Sequence, residues 1–416
     1  MAGFSPPDSK RKAGKHRSGR SGKVADFRYK RSSQPKDDGA SRPGKRSGGK
    51  SAQQNRPASR NDSAPCNGKR AARPSAPART PFQDNPRQRR QAYAALDLGT
   101  NNCRLLIARP SGENFTVIDA FSRVVKLGED LAQSGRLSDA AMDRTLSALS
   151  VCADKLRRRN VTLAHSVATE ACRRAANGQE FIERVREETG IVLNVISAEE
   201  EARLAVLGCH ILLEQGEGPA VIFDIGGGST ELVLLEPSGA VPRILDWASV
   251  PWGVVSLTDT VPRLDPTDEG RASRYARMRQ IVSDSFAPFA GRIAEAAKHE
   301  DKRLLGTSGT VTTLASLHLE LPHYDRKAVD GLIVPSQSMR EISTRLATLS
   351  RGERSELPCI GQDRADLVVA GCAILESILD IWPADRLGVA DRGIREGILR
   401  SLMAADLQRP DGKAAQ

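Results

Sequence analysis

Two aspartates, Asp97 and Asp224, each stand at the end of an apolar run and two residues before a glycine. Glycine has no Cβ, so the backbone of such a turn can approach a ligand closely, and successive N–H groups can face an anion. A carboxylate beside that anion can hold a hydrated divalent cation or a water molecule. The two segments therefore predict a phosphate site with acids next to it.

The candidate phosphate-binding residues lie in three glycine turns, the third of which follows the apolar run that ends at Leu305. A lone turn of this kind is usually a tight hairpin without a ligand. Here 127 residues, about one domain length, separate Asp97 from Asp224, which favours two related lobes that donate their hairpins to one cleft. The third turn precedes a helix that Ser308 or Thr310 would cap. The candidates are Gly99, Thr100, Asn101, Asn102, Arg104, Gly226, Gly227, Gly228, Ser229, Thr230, Gly306, Thr307, Ser308, Gly309 and Thr310.

Two glutamates, Glu170 and Glu199, fall in the first turns of predicted helices that follow predicted strands. The helix dipole alone favours acids at such positions, so neither is diagnostic by itself. In open α/β sheets, however, ligands bind at the carboxyl ends of the strands. Because both hairpins point to that edge as well, we include both glutamates in the predicted site.

The positive charge of the chain is concentrated in residues 1–90, which contain 24 Lys or Arg, six Asp and no Glu. The tail has a net charge of +18 and the remainder −7. With few aliphatic residues, the tail cannot bury enough apolar surface to offset its ordering entropy, so we predict that it is disordered. A tether for RNA or polyphosphate and a merely solubilising extension are both compatible with this composition.

The remaining composition indicates an α/β protein in a reducing compartment. The seven cysteines form no CxxC pair, which is typical of reduced thiols in a cytosolic protein and argues against a disulfide frame or a zinc site. No apolar segment approaches the length of a membrane span, so we expect a cytoplasmic protein without membrane contact.

Residues 92 to about 405 resemble the exopolyphosphatase / guanosine pentaphosphate phosphohydrolase (Ppx/GppA) family, a branch of the actin-like ATPase fold. The glycine hairpins belong to the wider superfamily, whereas Ala168-Thr169-Glu170-Ala171-Cys172-Arg173 and Arg392-Gly393-Ile394-Arg395-Glu396-Gly397 are more specific. The resemblance implies an α/β fold with two ribonuclease-H-like lobes around a central cleft. It implies that Glu170 is the catalytic base and that Asp97, Glu199 and Asp224 bind or orient a divalent metal, for which we expect Mg²⁺.

We predict three regions: a disordered tail (1–90), a first lobe (91–214, with a closing helix at about 391–407) and a second lobe (215–390). The sequence departs from the family in the first loop, where Thr100-Asn101-Asn102 replaces Ser-Asn-Ser, and at Trp252, where smaller residues are common. The expected body ends near residue 405, without the C-terminal domains of long family members. Because of this difference, the sequence does not predict how strongly long polymers bind. It also leaves the oligomeric state open, and a homodimer is one of the possibilities.

The functional hypothesis is metal-assisted hydrolysis of a terminal phosphoanhydride in polyphosphate or guanosine pentaphosphate. The motifs contact phosphates, and no segment reads a guanine, so the sequence does not choose between these substrates. One alternative is a kinase of the same superfamily that transfers the γ-phosphate of a nucleotide. The other is an RNA-associated protein that acts through its basic tail.

Overall fold

The framework consists of two mixed β-sheets, seen in a computed structural model that describes residues 91–112, 114–236, 242–263 and 265–407. The tail predicted at residues 1–90 lies outside the described residues. The strands of the first sheet are β1 (Ala92–Leu98), β2 (Asn102–Ser111), β3 (Asn114–Val124), β4 (Val161–Ala168) and β5 (Leu193–Val195). Those of the second are β6 (Ala220–Ile225), β7 (Thr230–Glu236), β8 (Arg243–Val250), β9 (Arg303–Thr307), β10 (Ile333–Pro335) and β11 (Arg386–Ala390).

Both sheets repeat one topology. The first has the order β3-β2-β1-β4-β5, and the second has the order β8-β7-β6-β9-β11 followed by an extra edge strand, β10. In each sheet the first three strands form an antiparallel meander, and the next two are added parallel to the first. The central strands β1 and β6 are apolar almost throughout because helices cover both of their faces.

Thirteen helices are present in the described residues. They are α1 (Leu131–Ser134), α2 (Asp139–Arg158), α3 (Glu170–Arg174), α4 (Gly178–Thr189), α5 (Ala198–Cys209), α6 (Val254–Thr260), α7 (Asp268–Ile293), α8 (Gly309–His318), α9 (Arg326–Val329), α10 (Ser336–Thr348), α11 (Arg351–Glu356), α12 (Leu367–Ile381) and α13 (Ile394–Leu407). Short 3₁₀ turns occupy His210–Leu212 and Ala296–Lys298. The helix predicted after Ser138 is α2, and the Ser138 hydroxyl accepts a hydrogen bond from the Ala141 N–H, as expected for a cap.

Helices α5 and α13 pack against each other between the two sheets. One face of α5 joins the core of the second sheet, while α13 packs on β1 and β2 of the first. Glycines allow this close contact: a Cβ on Gly397 would lie 2.0 Å from the Leu204 carbonyl oxygen, and one on Gly208 would lie 2.0 Å from that of Gly393. The helix pair therefore fixes the sheets with their strand ends at a common cleft.

The α/β prediction with two similar lobes is confirmed by the repeated topology. The lobe boundaries stay a prediction, but the two sheets fall within residues 92–195 and 220–390, and α13 packs on the first sheet. Among the described residues, no helix is both long and apolar enough to cross a membrane.

Candidate functional site

The two glycine hairpins close with the same hydrogen bond and face one cleft. The Gly99 N–H donates to the Asn102 carbonyl at 3.0 Å, and the Gly226 N–H donates to the Ser229 carbonyl at 2.9 Å. Each turn joins the first two strands of its sheet. The hairpins are therefore structural equivalents, as the repeated Asp-x-Gly pattern predicts.

In each lobe, a second segment donates hydrogen bonds to one carbonyl of the glycine loop. In the first lobe, the N–H groups of Val125 and Lys126 donate to the Asn101 carbonyl. In the second lobe, the N–H groups of Val255 and Ser256 donate to the Gly227 carbonyl. These hydrogen bonds fix the backbone of both loops, and N–H groups of such fixed loops can bind an anion in the cleft.

The second hairpin needs glycines because the lobes touch there. A Cβ on Gly228 would lie 2.6 Å from the Thr100 hydroxyl and 2.9 Å from Cγ of Glu170, and one on Gly227 would lie 2.9 Å from Cβ of Thr100. Neither glycine has a positive φ. Close approach of the other lobe, rather than backbone conformation, therefore excludes larger residues at these two positions.

The cleft contains a cavity of about 130 Å³ lined by both hairpins, the start of α3 and the start of α8. It brings together Asp97, Glu170 and Asp224 from the predicted site. Its lining consists of Asp97, Gly99, Thr100, Asn101, Asn102, Arg104, Thr169, Glu170, Glu201, Asp224, Ile225, Gly226, Gly227, Gly228, Ser229, Val254, Ser308, Gly309, Thr310, Thr313, Arg364, Leu367, Val368 and Ile394.

Glu170 lies at the first position of α3, directly beyond the carboxyl end of β4, and its side chain is 13% exposed. Its Oε2 accepts two hydrogen bonds from the Arg173 guanidinium, at 2.7 and 3.2 Å. The other oxygen, Oε1, has only the longer ion pair to Arg174 at 3.8 Å. One oxygen is thus fixed by Arg173, and the other accepts no hydrogen bond from the described residues.

Arg173 also orders a second acid. Its guanidinium donates to Glu201 at 2.9 Å and to the Ile196 carbonyl at 2.8 Å. Arg173 therefore ties the start of α3 to α5. Burial, followed by the nearby charge of Glu231, raises the pKa of Glu201 well above its usual range in spite of Arg173.

The aspartates of the two hairpins are both in an environment that disfavours their charged forms. Burial raises the pKa of Asp97, with Arg104 acting in the opposite direction. Burial and the charge of Glu201 raise the pKa of Asp224 to about 7. The acids influence one another, which shows that the two hairpins and α5 bring their carboxylates to one place.

Positive charge reaches the cavity from two arginines and a helix terminus. Arg104 and Arg364 are near each other, and burial followed by the charge of Arg104 lowers the pKa of Arg364. Neither guanidinium forms an ion pair with a residue of the described segments, and Arg364 donates only to the Thr313 hydroxyl, at 3.1 Å. Ser308 caps α8 by accepting from the Val311 N–H. Two arginines that form no salt bridge with the described residues, beside a helix N-terminus, suit a polyanion.

Some predicted site residues do not reach this cavity. The structure places Glu199 on the exposed side of α5, and Glu201 is the acid of that helix that lines the cleft. Thr230 and Thr307 are buried, and their hydroxyls donate to the carbonyls of Trp252 and Arg392, both at 2.7 Å. Gly306 lies within β9, where a Cβ would meet the Phe223 ring at 2.4 Å. The observed contacts of these last three residues are within the protein.

Three residues of the site were missed by sequence reasoning: Glu201, Glu231 and Arg364. Glu231 pairs directly with Asp224 across the β6–β7 hairpin, and its carboxylate accepts from Ser229 at 2.7 Å and from Ser249 at 3.0 Å. Burial and the charge of Asp224 raise its pKa. Counting the hairpin register outward from the turn would have found this residue.

The donor set fits a magnesium ion that binds mainly through substrate. No group of three or more His, Cys, Asp or Glu in the described parts of the chain is arranged to hold a metal alone. Mg²⁺ commonly uses one or two carboxylates, with waters and substrate phosphates as its other ligands. Asp97 and Asp224 line the cavity, and within the described residues neither forms an ion pair. Burial raises the pKa of both, so a cation beside the phosphates would stabilise their charged forms.

Comparison with known proteins gives a match over most of the chain. The model of the Ppx/GppA phosphatase family matches residues 106–406. The chain belongs to this family. Exopolyphosphatase 2 of Mycobacterium tuberculosis is 31% identical over 324 residues, which cover 74% of this chain and 98% of that protein. The family prediction is therefore confirmed, and the chain is an exopolyphosphatase-like phosphatase of the Ppx/GppA family.

Solved structures of relatives have the same fold. The Aquifex aeolicus member of the Ppx/GppA family gives a TM-score of 0.61 at 30% identity, with coverage of 76% of this chain and 98% of that chain. An exopolyphosphatase from Cytophaga hutchinsonii gives a TM-score of 0.68 at 25% identity, with coverage of 76% and 98%. The two-lobed actin-like fold expected from the sequence agrees with these family members.

Proposed function

We propose that the chain removes terminal orthophosphate from inorganic polyphosphate or guanosine pentaphosphate by hydrolysis, with Glu170 as the general base. The observation that carries the proposal is the position of Glu170: it lines the same cavity as both hairpin aspartates, and one of its carboxylate oxygens has no close partner among the described residues. The names of the similar exopolyphosphatases support polyphosphate as a substrate.

The phosphate groups would lie against the loop N–H groups of both hairpins and the N-terminus of α8. Arg104 and Arg364 would bind the oxygens of phosphates further along the chain, because both line the cavity and neither forms a salt bridge with the described residues. Binding from both lobes holds the terminal phosphorus at a fixed distance from Glu170. Such positioning is a large part of catalysis in phosphoryl transfer.

In the hydrolytic step, a water oxygen forms a bond to the terminal phosphorus while the bridging anhydride bond breaks. Glu170 accepts the water proton, and the shortened polyphosphate leaves with the electrons of the broken bond. Asp97 and Asp224 would hold Mg²⁺, with Glu201 and Glu231 close to them. A bound divalent cation supplies charge stabilisation at the phosphate oxygens.

The test is release of orthophosphate without an added acceptor. Polyphosphate, guanosine pentaphosphate and ATP are incubated separately with the full chain and MgCl₂, and kcat/KM is measured on each. The proposal expects turnover of polyphosphate or guanosine pentaphosphate. Phosphate transfer from ATP that needs an acceptor would instead identify a kinase and overturn the hydrolase proposal.

A truncated chain that starts at residue 91 tests the role of the basic tail. We expect catalysis to persist, with any change confined to salt-sensitive affinity for long polyanions. Loss of all activity and all binding would favour a protein that acts through its tail.

A further inference from the structure

A second cavity adjoins the catalytic cleft and shares one lining residue with it, Glu170. Its volume is about 540 Å³, and it opens to solvent. The walls come from the start of α5, the end of β8 with the loop after it, and one face of α7. They are Ala198, Trp247, Ala248, Ser249, Val250, Pro251, Ser285, Pro288, Phe289 and Arg292.

Among the described residues, the lining of the second cavity offers a polyanion no positive charge that is free of a salt bridge. Its arginine, Arg292, binds both carboxylate oxygens of Asp246, at 2.7 and 3.1 Å, and also donates to the Trp247 carbonyl. The unpaired arginines Arg104 and Arg364 and the loop N–H groups line only the first cavity. The contacts proposed above for polyphosphate therefore lie on the first-cavity side of Glu170, and the second cavity contributes none of them.

Two serine hydroxyls, of Ser249 and Ser285, line the second cavity and are able to bind water. Ser249 donates to Glu231 at 3.0 Å, and Ser285 accepts from the Trp252 indole N–H at 2.7 Å. Ser285 also donates to the Ile281 carbonyl at 3.0 Å, but each hydroxyl oxygen keeps at least one free lone pair, so both can accept a hydrogen bond from water. A volume of about 540 Å³ is far above the ~10–15 Å³ that a single water molecule needs.

In an in-line displacement, the water that attacks and the phosphate chain that leaves would occupy different cavities. The attacking oxygen and the leaving oxygen lie on opposite sides of the phosphorus, so the general base faces away from the leaving chain. With phosphates in the small first cavity, a route that avoids the bound chain reaches Glu170 from the second. We propose that the second cavity is the reservoir that supplies the nucleophilic water to Glu170, an inference that rests on the proposed hydrolytic function.

Two substitutions fill the cavity from opposite walls. Ala198→Phe adds a ring from the first position of α5, and Pro288→Phe adds one from the exposed face of α7. Replacing a proline inside a helix also removes its helix-breaking effect, so the second variant is not expected to unfold. The matched control is Ala287→Phe, at the neighbouring exposed position of α7, which does not line the cavity.

The experiment measures kcat and KM for orthophosphate release, with polyphosphate affinity measured separately in EDTA. Complete loss of general-base help costs about 10²- to 10⁴-fold, so we expect partial exclusion of its water to lower kcat by about tenfold or more. KM and the dissociation constant should stay within about twofold, because the phosphate contacts are on the other side of Glu170. Thermal melting of both variants and the control verifies the fold.

Two results would overturn the reservoir. One is a kcat within about twofold of the Ala287→Phe control in both filled variants. The other is an increase in KM with kcat unchanged, which would show that the second cavity binds substrate. Absence of turnover by the unmodified chain would be a failure of the proposed function instead, and the two failures are therefore distinguishable.

Discussion

The hairpin of the first lobe and that of the second share a hydrogen-bond pattern but differ in the charge of one cross-strand residue. Seven residues after its aspartate, each hairpin places a cross-strand partner: Arg104 opposite Asp97, and Glu231 opposite Asp224. The turns close with equivalent hydrogen bonds, and the sheets share one strand order. The same position of the repeated hairpin therefore carries a guanidinium group in the first lobe and a carboxyl group in the second.

The two lobes also contribute different groups to the cleft. The first contributes reactive and charged side chains, Glu170 and Arg104, on a loop with polar residues. The second contributes a loop of three glycines, buried acids and the N-terminus of α8. The lobes meet where Gly228 lies against Thr100 and Glu170. A site of this kind needs both halves, and substitutions in each half should produce different defects.

The largest effect is expected at Glu170. Glu170→Gln keeps the size and the Arg173 hydrogen bond but removes the proton acceptor, so kcat should fall by about 10²- to 10⁴-fold. Polyphosphate should still bind, because the loop and arginine contacts are unchanged. Steady-state phosphate release and a separate binding assay test this expectation. Glu180→Gln, on the exposed first turn of α4, is the matched control. Near-normal turnover would rule out the base.

The next largest effect concerns the two arginines, one from each lobe. Hydrogen bonds to charged groups contribute about 1.5–3 kcal/mol, so Arg104→Gln and Arg364→Gln should each raise KM for polyphosphate by about tenfold or more. The exposed Arg345→Gln on α10 should leave KM unchanged. If only the first-lobe variant changed KM, polyphosphate would be bound by one lobe, and the shared cleft would lose its support.

Glycine-to-alanine substitutions in the two hairpins should change the free energy of unfolding by different amounts. A Cβ on Gly228 would overlap Thr100 and Glu170, whereas one on Gly99 would meet only the Asn102 carbonyl, at 3.7 Å. Overpacking typically costs about 1–3 kcal/mol, so Gly228→Ala should lower the free energy of unfolding by that amount. Gly99→Ala should change it much less. Denaturant titration measures both, and equal losses would contradict the asymmetry.

The smallest effect concerns Asp224 and pH. Burial and Glu201 raise its pKa to about 7 in the folded protein. The stability contributed by the protonated form is present below the unfolded pKa and is lost as pH rises through about 7. In EDTA, Asp224→Asn should therefore raise the melting temperature above that of the wild type by more at pH 8 than at pH 5.5. The difference between the two increases should be about 2 °C or more. Asp284→Asn, on the exposed surface of α7, is the control. No pH-dependent difference would argue against a buried, strained carboxylate.

The hairpins and the fold could be predicted because their signals are local. An apolar run, an aspartate and a glycine turn occupy adjacent positions in the chain, and their repetition after 127 residues indicated two lobes. The choice between Glu199 and Glu201 could not be made in this way. Residues two apart on a helix are rotated by about 200° and so point about 160° apart, and only the packing of α5 on the second sheet decides which one faces the cleft.

Arg364 had no local signal at all. It stands before α12 in a polar segment, and only the tertiary fold places it beside Arg104. Thr230, Gly306 and Thr307 show the opposite situation, since their sequence context resembles a phosphate loop while their observed contacts are internal. A glycine-rich or hydroxyl-rich pattern thus indicates close packing as readily as ligand binding.

The most direct test of the shared cleft compares Asp97→Asn, Asp224→Asn and the double variant in orthophosphate release. Residues that act as one unit have strongly non-additive effects. We expect each single variant to lose most of its kcat/KM. The kcat/KM of the double variant should be only slightly below that of the less active single variant. Wild-type turnover in either single variant, or losses that multiply as at independent sites, would contradict it.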